Sequence, residues 1–202
     1  MSKFNDLYKL IMEVINSDSA YFNKAKKLCE QLLKFDFNIV DYTKNVARLS
    51  NGKTDDDFKK IYRLQPAEDT LKFQCGTCWD ICLCALQKLK EMGYNAYPIW
   101  YEVLNNKTEP NHMFIVIEYK YQFYIFEASM LAHGGIHGPY KKLEEIFHIY
   151  FKWQWNTKDK GTEIVFYKIN SYPKPMTKYD EFLKQVRNSK KICSFKPILY
   201  RL

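Results

Sequence analysis

The sequence predicts an α+β protein, and three observations carry that prediction. Up to residue 92 apolar residues recur at helical spacing. From 96 to 127 they gather into short strand-like runs, and a tight-turn signal separates the last two of those runs. With 202 residues, 47% of them hydrophobic, the chain is long enough for one sizeable core and short for two. The expectation is one domain over 1–202. Within it, 1–68 is an N-terminal helical extension, 69–155 the core, and 156–202 a strand–helix–strand segment that completes it.

The elements follow in order. Phe4, Leu7, Tyr8, Leu10, Ile11, Val14 and Ile15 fall at helical spacing over 4–16. Asp18 or Ser19 caps a second helix to about Lys34, with Phe22, Ala25, Leu28, Cys29 and Leu32 on one side. Residues 36–72 are mixed: Asn51-Gly52 signals a turn, Thr54–Asp57 opens a short helix, and Pro66 forbids a long one. Asp69–Phe73 reads as a weak strand. From Cys78 to Met92 the residues Cys78, Cys82, Ala85, Leu86 and Leu89 form one helical face, and Gly93 stops it. Strands follow at Ala96–Val103, His112–Tyr119 and Gln122–Glu127, the last two joined by a tight hairpin. Residues 133–139, with Gly134, Gly135, Gly138 and Pro139, read as a loop. Leu143–Trp153 is a helix, Thr162–Ile169 a strand, Lys178–Asn188 a helix and Ser194–Tyr200 a short final strand.

Composition excludes several function classes. The net charge of +8 comes from 31 basic and 23 acidic residues spread along the chain. Its densest basic runs, Lys24–Lys27 and Lys190-Lys191, are too short for a nucleic-acid arm, so no specific nucleic-acid partner is expected. The first residues lack a signal-peptide pattern and no stretch reaches membrane-spanning length, so a cytoplasmic protein without a membrane partner is expected. Four of the six cysteines, Cys75, Cys78, Cys82 and Cys84, lie within ten residues. In a reducing compartment they are thiols rather than a disulfide framework.

Gln74-Cys75-Gly76-Thr77-Cys78-Trp79-Asp80 is the most informative stretch. A thiol becomes a good nucleophile when it loses its proton. The first turn of a helix favours that loss, because its backbone N–H groups carry partial positive charge. Cys78 at such a helix start, after a Gly that allows close approach, is placed to attack a carbonyl. The same N–H groups steady the resulting oxyanion, with Gln74 as a candidate side-chain donor, Thr77 beside the nucleophile and Trp79 packed next to it. His112 opens one strand and Glu127 ends the next. A hairpin sets such positions side by side. His112 is then the base and Glu127 the acid that fixes its tautomer. His137, in the loop after Glu127, is a candidate for lining the cleft.

Gly76-Thr77-Cys78-Trp79-Asp80 resembles the nucleophile segment of the transglutaminase-like superfamily, and also that of papain-like cysteine proteases. The spacing 127 − 112 = 15 between His112 and Glu127 is close to that usual in transglutaminase-like domains. Gly135–Tyr140 followed by Leu143–Ile146 further resembles small bacterial transglutaminase-like proteins of unsettled role. The resemblance covers roughly 70–150. It implies a papain-like fold, with the nucleophile-bearing helix packed on an antiparallel sheet and the N-terminal helices added to it. It also implies a thioester-forming hydrolase or acyl transferase acting on a peptide or protein amide, with no cofactor and no metal. The superfamily usually carries Asp where this chain has Glu127, and papain-like proteases carry Asn.

Three rival readings come from the same residues. The fold is kept as a binding module with an idle triad. Cys75-Gly76-Thr77-Cys78 is a Cys-x-x-Cys redox dithiol. Or Cys75, Cys78 and Cys82 hold zinc with His133 or His137. Oligomeric state leaves no mark in the sequence.

Overall fold

The computed structural model describes residues 19–42, 46–49, 56–104, 111–155 and 163–195. The helix expected at 4–16, the Asn51-Gly52 turn and the end of the last strand lie outside them. Helix α1 covers 19–32, and its expected face is buried, with Phe22, Ala25, Leu28, Cys29 and Leu32 all in the core. The mixed stretch holds a small antiparallel hairpin, β1 (Asn38–Asp41) with β2 (Val46–Leu49), then α2 (Asp56–Ile61) and α3 (Ala67–Phe73). Asp69–Phe73 is therefore helical, not a strand. Pro66 precedes the first turn, where its missing N–H costs nothing, Glu68 and Asp69 sit at the positive end, and Lys72 lies at the negative end.

Helix α4 (Cys78–Glu91) is followed by Gly93 at φ +85°, a left-handed position suited to ending a helix. Then come β3 (Asn95–Leu104), β4 (Asn111–Tyr119), β5 (Gln122–Glu127), β6 (Gly135–Tyr140), α5 (Leu143–Trp155), β7 (Glu163–Lys168), α6 (Tyr179–Arg187) and β8 (Lys190–Phe195). The six strands from β3 onward form one antiparallel sheet in the order β6-β5-β4-β3-β7-β8. Lys120 and Tyr121 both take positive φ between Tyr119 and its partner Gln122, as a two-residue hairpin requires. The expected loop at 133–139 is mostly β6. Gly and Pro read as breakers, but β6 is an edge strand, where a proline without an N–H breaks no ladder on its open side.

Strand parity divides the core into two layers. Met113, Ile115 and Ile117 face α4, α1 and α6, in a cluster with Trp79, Ile81, Leu89, Leu32 and Phe182. Phe114 and Val116 face the opposite side, with Ile146, Phe147 and Tyr150 of α5. The sheet is thus covered on both faces, which explains the uninterrupted apolar run of β4. The result is an α+β fold with the cysteine-headed helix packed on an antiparallel sheet. Among the described residues, no helix is long and apolar enough to cross a membrane.

One buried acid fixes where α4 begins. Asp80 Oδ1 accepts the Tyr62 hydroxyl at 2.9 Å and the Gln65 N–H at 2.8 Å. Its Oδ2 accepts the Thr77 N–H and hydroxyl, both at 2.8 Å. A Cβ on Gly76 would sit 2.9 Å from the Asp80 Cβ, so the chain crosses here only because residue 76 has no side chain. Replacing Asp80 by Ala strands three sets of buried donors. It is expected to cost about 2–4 kcal/mol in urea unfolding, measured from the midpoint at unchanged slope. A loss below about 0.5 kcal/mol, the scale of an ordinary surface change, would show that the helix start is held by something else.

Candidate functional site

The segment leading into Cys78 is held by backbone bonds before any side chain acts. Asp36 N–H donates to Gln74 O at 3.0 Å, and Gly76 N–H donates to Asp36 O at 3.1 Å. Gln65 Nε2 adds a bond to Cys75 O at 3.3 Å. Thr77 then takes the N-cap position and Cys78 opens α4.

At the far end of the same helix start lies the first residue of β4. The Trp79 indole N–H donates to Asn111 Oδ1 at 3.2 Å. Tyr172 donates to Trp79 O at 2.5 Å and lies 2.9 Å from Met113 Sδ. The residues on either side of His112 are therefore tied to the residue after Cys78. This clamp brings thiol and imidazole together although their elements lie in different layers. Trp79 itself packs inward, stacked on Phe182 with centroids 4.0 Å apart.

His112 Nε2 lies 2.8 Å from Glu127 Oε2, and the imidazole is near enough to the Cys78 thiol for the two to influence each other's charge. With Nε2 committed to the carboxylate, the other ring nitrogen is left for sulfur. The contact is diagonal rather than directly opposite. The register pairs Ile115 with Phe126, so Glu127 belongs beside Phe114, one same-face position further along β4. The longer side chain of glutamate spans that offset. Cys78 keeps 9% of its surface, His112 8% and Glu127 none.

Glu127 is the most heavily bonded group of the three. Its Oε1 accepts the Ser129 N–H at 3.0 Å, the Ser129 hydroxyl at 3.2 Å and the Met130 N–H at 2.9 Å. Its Oε2 accepts the Tyr150 hydroxyl at 2.7 Å. Burial alone would raise its pKa. The His112 charge and hydrogen bond, helped by Tyr150 and Ser129, outweigh burial and bring it down to about 2. Burial alone would likewise lower His112, but the Glu127 charge and hydrogen bond, with the Cys78 thiol nearby, raise it to about 10. The pair is an imidazolium–carboxylate ion pair at neutral pH.

The remaining candidates fall into different places. Gln74 is exposed, with a left-handed backbone at φ 48° that ends α3. Thr77 turns its hydroxyl onto Asp80 rather than outward. His137 pairs with Ile125 on β6 and donates from Nε2 to His133 O at 2.8 Å. His133 in turn stacks flat on Trp153, centroids 4.1 Å apart. Cys75 is buried, and burial, with Asp80 and Asp36 nearby, pushes its thiol up to about 11. That makes it a poor attacking partner for a dithiol at neutral pH. Among the described residues, no three His, Cys, Asp or Glu side chains converge to hold a metal. Sequence reasoning missed Tyr150, Tyr172, Ser129 and Asp80. Only Asp80 had a signal, the Thr-x-x-Asp spacing of a helix cap.

The ion pair has a pH signature. His112, raised from 6.5 to about 10, contributes stability in full below pH 6.5 and loses it as pH climbs toward 10. Glu127, lowered from 4.5 to about 2, contributes in full above pH 4.5 and loses it as pH falls toward 2. The stability gap between the protein and Glu127→Gln is therefore expected to peak between pH 4.5 and 6.5, at about 3–5 kcal/mol, and to narrow on both sides. Urea unfolding at pH 3, 5.5 and 9.5 measures it. A gap that is flat across these values would rule the ion pair out.

No family model matches the chain, and no curated protein matches it. Among solved structures it is similar to an arylamine N-acetyltransferase from Bacillus cereus, described as having a unique Cys-His-Glu catalytic triad. The two share 13% identity at a TM-score of 0.36, over 54% of this chain and 41% of that one. This chain thus spans less than half the length of that structure.

Proposed function

We propose that this protein is a cysteine-dependent acyl-transfer enzyme of the transglutaminase-like kind, hydrolysing or transferring an amide acyl group. The observation that supports the reading is the buried His112–Glu127 pair close to Cys78, the residue that opens α4. Cys78 is the nucleophile, His112 the base and Glu127 the acid that orients the ring. The N–H groups of Cys78 and Trp79 are the first two of α4, positions with no carbonyl partner inside the helix, and they serve the oxyanion.

The chemistry runs in two halves. The reactive state is a thiolate beside the imidazolium: His112 holds the proton that Cys78 has given up, and the sulfur attacks the carbonyl carbon. The C–N bond breaks, the amine leaves with the proton from His112, and the acyl group stays on sulfur as a thioester. In the second half His112 removes a proton from water or from a second amine. The new oxygen or nitrogen attacks the thioester, and the C–S bond breaks to return the thiol. The ion pair with Glu127 keeps the imidazole in one orientation throughout. A peptide or protein amide is the substrate class that the resemblance implies.

The test uses p-nitrophenyl acetate as an activated acyl donor. Mass mapping is expected to find an acyl group on Cys78, and Cys78→Ala to abolish it while the fold is kept. His112→Gln is expected to slow acylation by about 10²–10⁴-fold. Release of acetate without an added amine marks hydrolysis, and product on the amine marks transfer. Folded wild-type protein whose Cys78 takes up no acyl group would instead mark the fold as a binding module.

A further inference from the structure

We propose that Tyr150 is a positioning residue of this site: its hydroxyl fixes the Glu127 carboxylate toward His112 and moderates how tightly His112 holds its proton. The role is a refinement of the acyl-transfer reading and takes its catalytic meaning from it.

A glutamate has one more rotatable bond than an aspartate, so the plane of its carboxylate needs more fixing. The turn after β5 holds one oxygen, Oε1, through Ser129 and Met130. The other, Oε2, is where His112 Nε2 arrives at 2.8 Å and the Tyr150 hydroxyl at 2.7 Å. Two donors converge on one buried oxygen and share its charge. Tyr150 itself is rigidly seated. It is fully buried, its ring stacks on Phe114 with centroids 3.9 Å apart, and its edge meets Trp153 at 4.8 Å. Helix α5 therefore does more than cover the sheet; it delivers a hydrogen-bond donor to the acid.

The titratable groups around Glu127 come from every neighbouring element. Helix α1 brings Cys29, whose thiol donates to Glu127 O at 3.1 Å. Helix α4 brings Cys78 against His112, and Cys82 within electrostatic range. Strand β3 brings Tyr101 against both His112 and Tyr150, β4 brings His112, and α5 brings Tyr150 itself. Of these, His112 is the group that carries positive charge. The Tyr150 O–H dipole points its positive end at Oε2, and so also toward the imidazole. Removing it takes partial positive charge away from the imidazolium and strengthens the pull of the carboxylate on the His112 proton.

Tyr150→Phe keeps the ring and removes only the hydroxyl. The His112 ring resonances, followed by NMR against pH and identified among four histidines with a His112→Gln control, are expected to titrate about 0.5–1 pH unit higher in this variant. Site-specific 3-fluorotyrosine at position 150 has a more acidic hydroxyl and donates more strongly, so His112 is expected to titrate lower. An unchanged or lowered midpoint in folded Tyr150→Phe would reduce Tyr150 to a space-filling ring. If Tyr150→Phe does not fold, the fluorotyrosine protein decides, and an unchanged or raised midpoint there overturns the assignment. Acylation of Cys78 in the same wild-type sample separates this role from the functional reading. Absent acylation with the expected titration shifts removes the enzyme but leaves the Tyr150–Glu127–His112 coupling. Normal acylation with an immobile midpoint removes only Tyr150.

Discussion

A carboxylate with none of its surface in water is expensive to keep charged, and Glu127 is kept charged. Leaving such an ion unpaired costs several kcal/mol after all relaxation. Each neutral hydrogen bond recovers roughly 1 kcal/mol, and bonds to a charged group about 1.5–3. Neutral donors do not by themselves turn the balance, since Asp80, held by neutral donors alone, has its pKa raised; the imidazolium is what brings that of Glu127 down. The arrangement around Glu127 follows from that need. The turn at Ser129 and Met130 closes over Oε1, α5 is seated so that Tyr150 reaches Oε2, and α1 sends the Cys29 thiol to the backbone carbonyl of the same residue. The turn that follows and two helices distant in sequence therefore converge on this one residue.

Asp80 makes the comparison instructive. It is as deeply buried as Glu127 and, like it, collects four neutral donors, here from Tyr62, Gln65 and Thr77. Yet burial leaves the Asp80 pKa raised, whereas that of Glu127 is lowered. The difference is the cation. Every partner of Asp80 is a neutral hydroxyl or N–H, so desolvation is only partly offset. Asp80 acts as a staple for the loop–helix junction, and Glu127 as one half of a charge pair that reaches the thiol. The same residue type of interaction, a buried acid among donors, thus serves architecture in one place and electrostatics in the other.

The sequence made the second acid legible and left the first nearly silent. His112 and Glu127 announced themselves because each stands at the end of an apolar run, and a hairpin converts that position into proximity. Their precise relation was not legible: the register offsets them by two residues, and only the length of glutamate closes the gap. Helix α1, helix α4 and the paired strands followed from periodicity because their buried faces are broad. The β1–β2 hairpin, α3 and β6 did not, since each is seven residues or fewer and carries mixed or breaker residues. In such short pieces tertiary pairing, not local preference, decides the outcome. Cys75 in its Cys-x-x-Cys frame shows the converse failure. The spacing pointed to redox chemistry, while burial beside Asp80 and Asp36 pushes that thiol away from it.

What no sequence rule supplied was the second layer. Tyr150 lies on the buried face of α5 with Ile146 and Phe147, so its apolar ring accounts fully for its position in the pattern. The hydroxyl is invisible to any periodicity. It becomes meaningful only because strand parity puts His112, Phe114 and Glu127 on the α5 side of the sheet, while Cys78 arrives from the α4 side. The thiol and the ion pair meet at the end of β4, where the clamp from Trp79 to Asn111 and from Tyr172 to Met113 brackets the histidine. A small displacement of either layer would separate sulfur from ring. The environment of Cys78 is therefore a property of how the two layers are locked together, and both locks, Trp79–Asn111 and Tyr150–Glu127, are single hydrogen bonds from aromatic side chains already committed to the core.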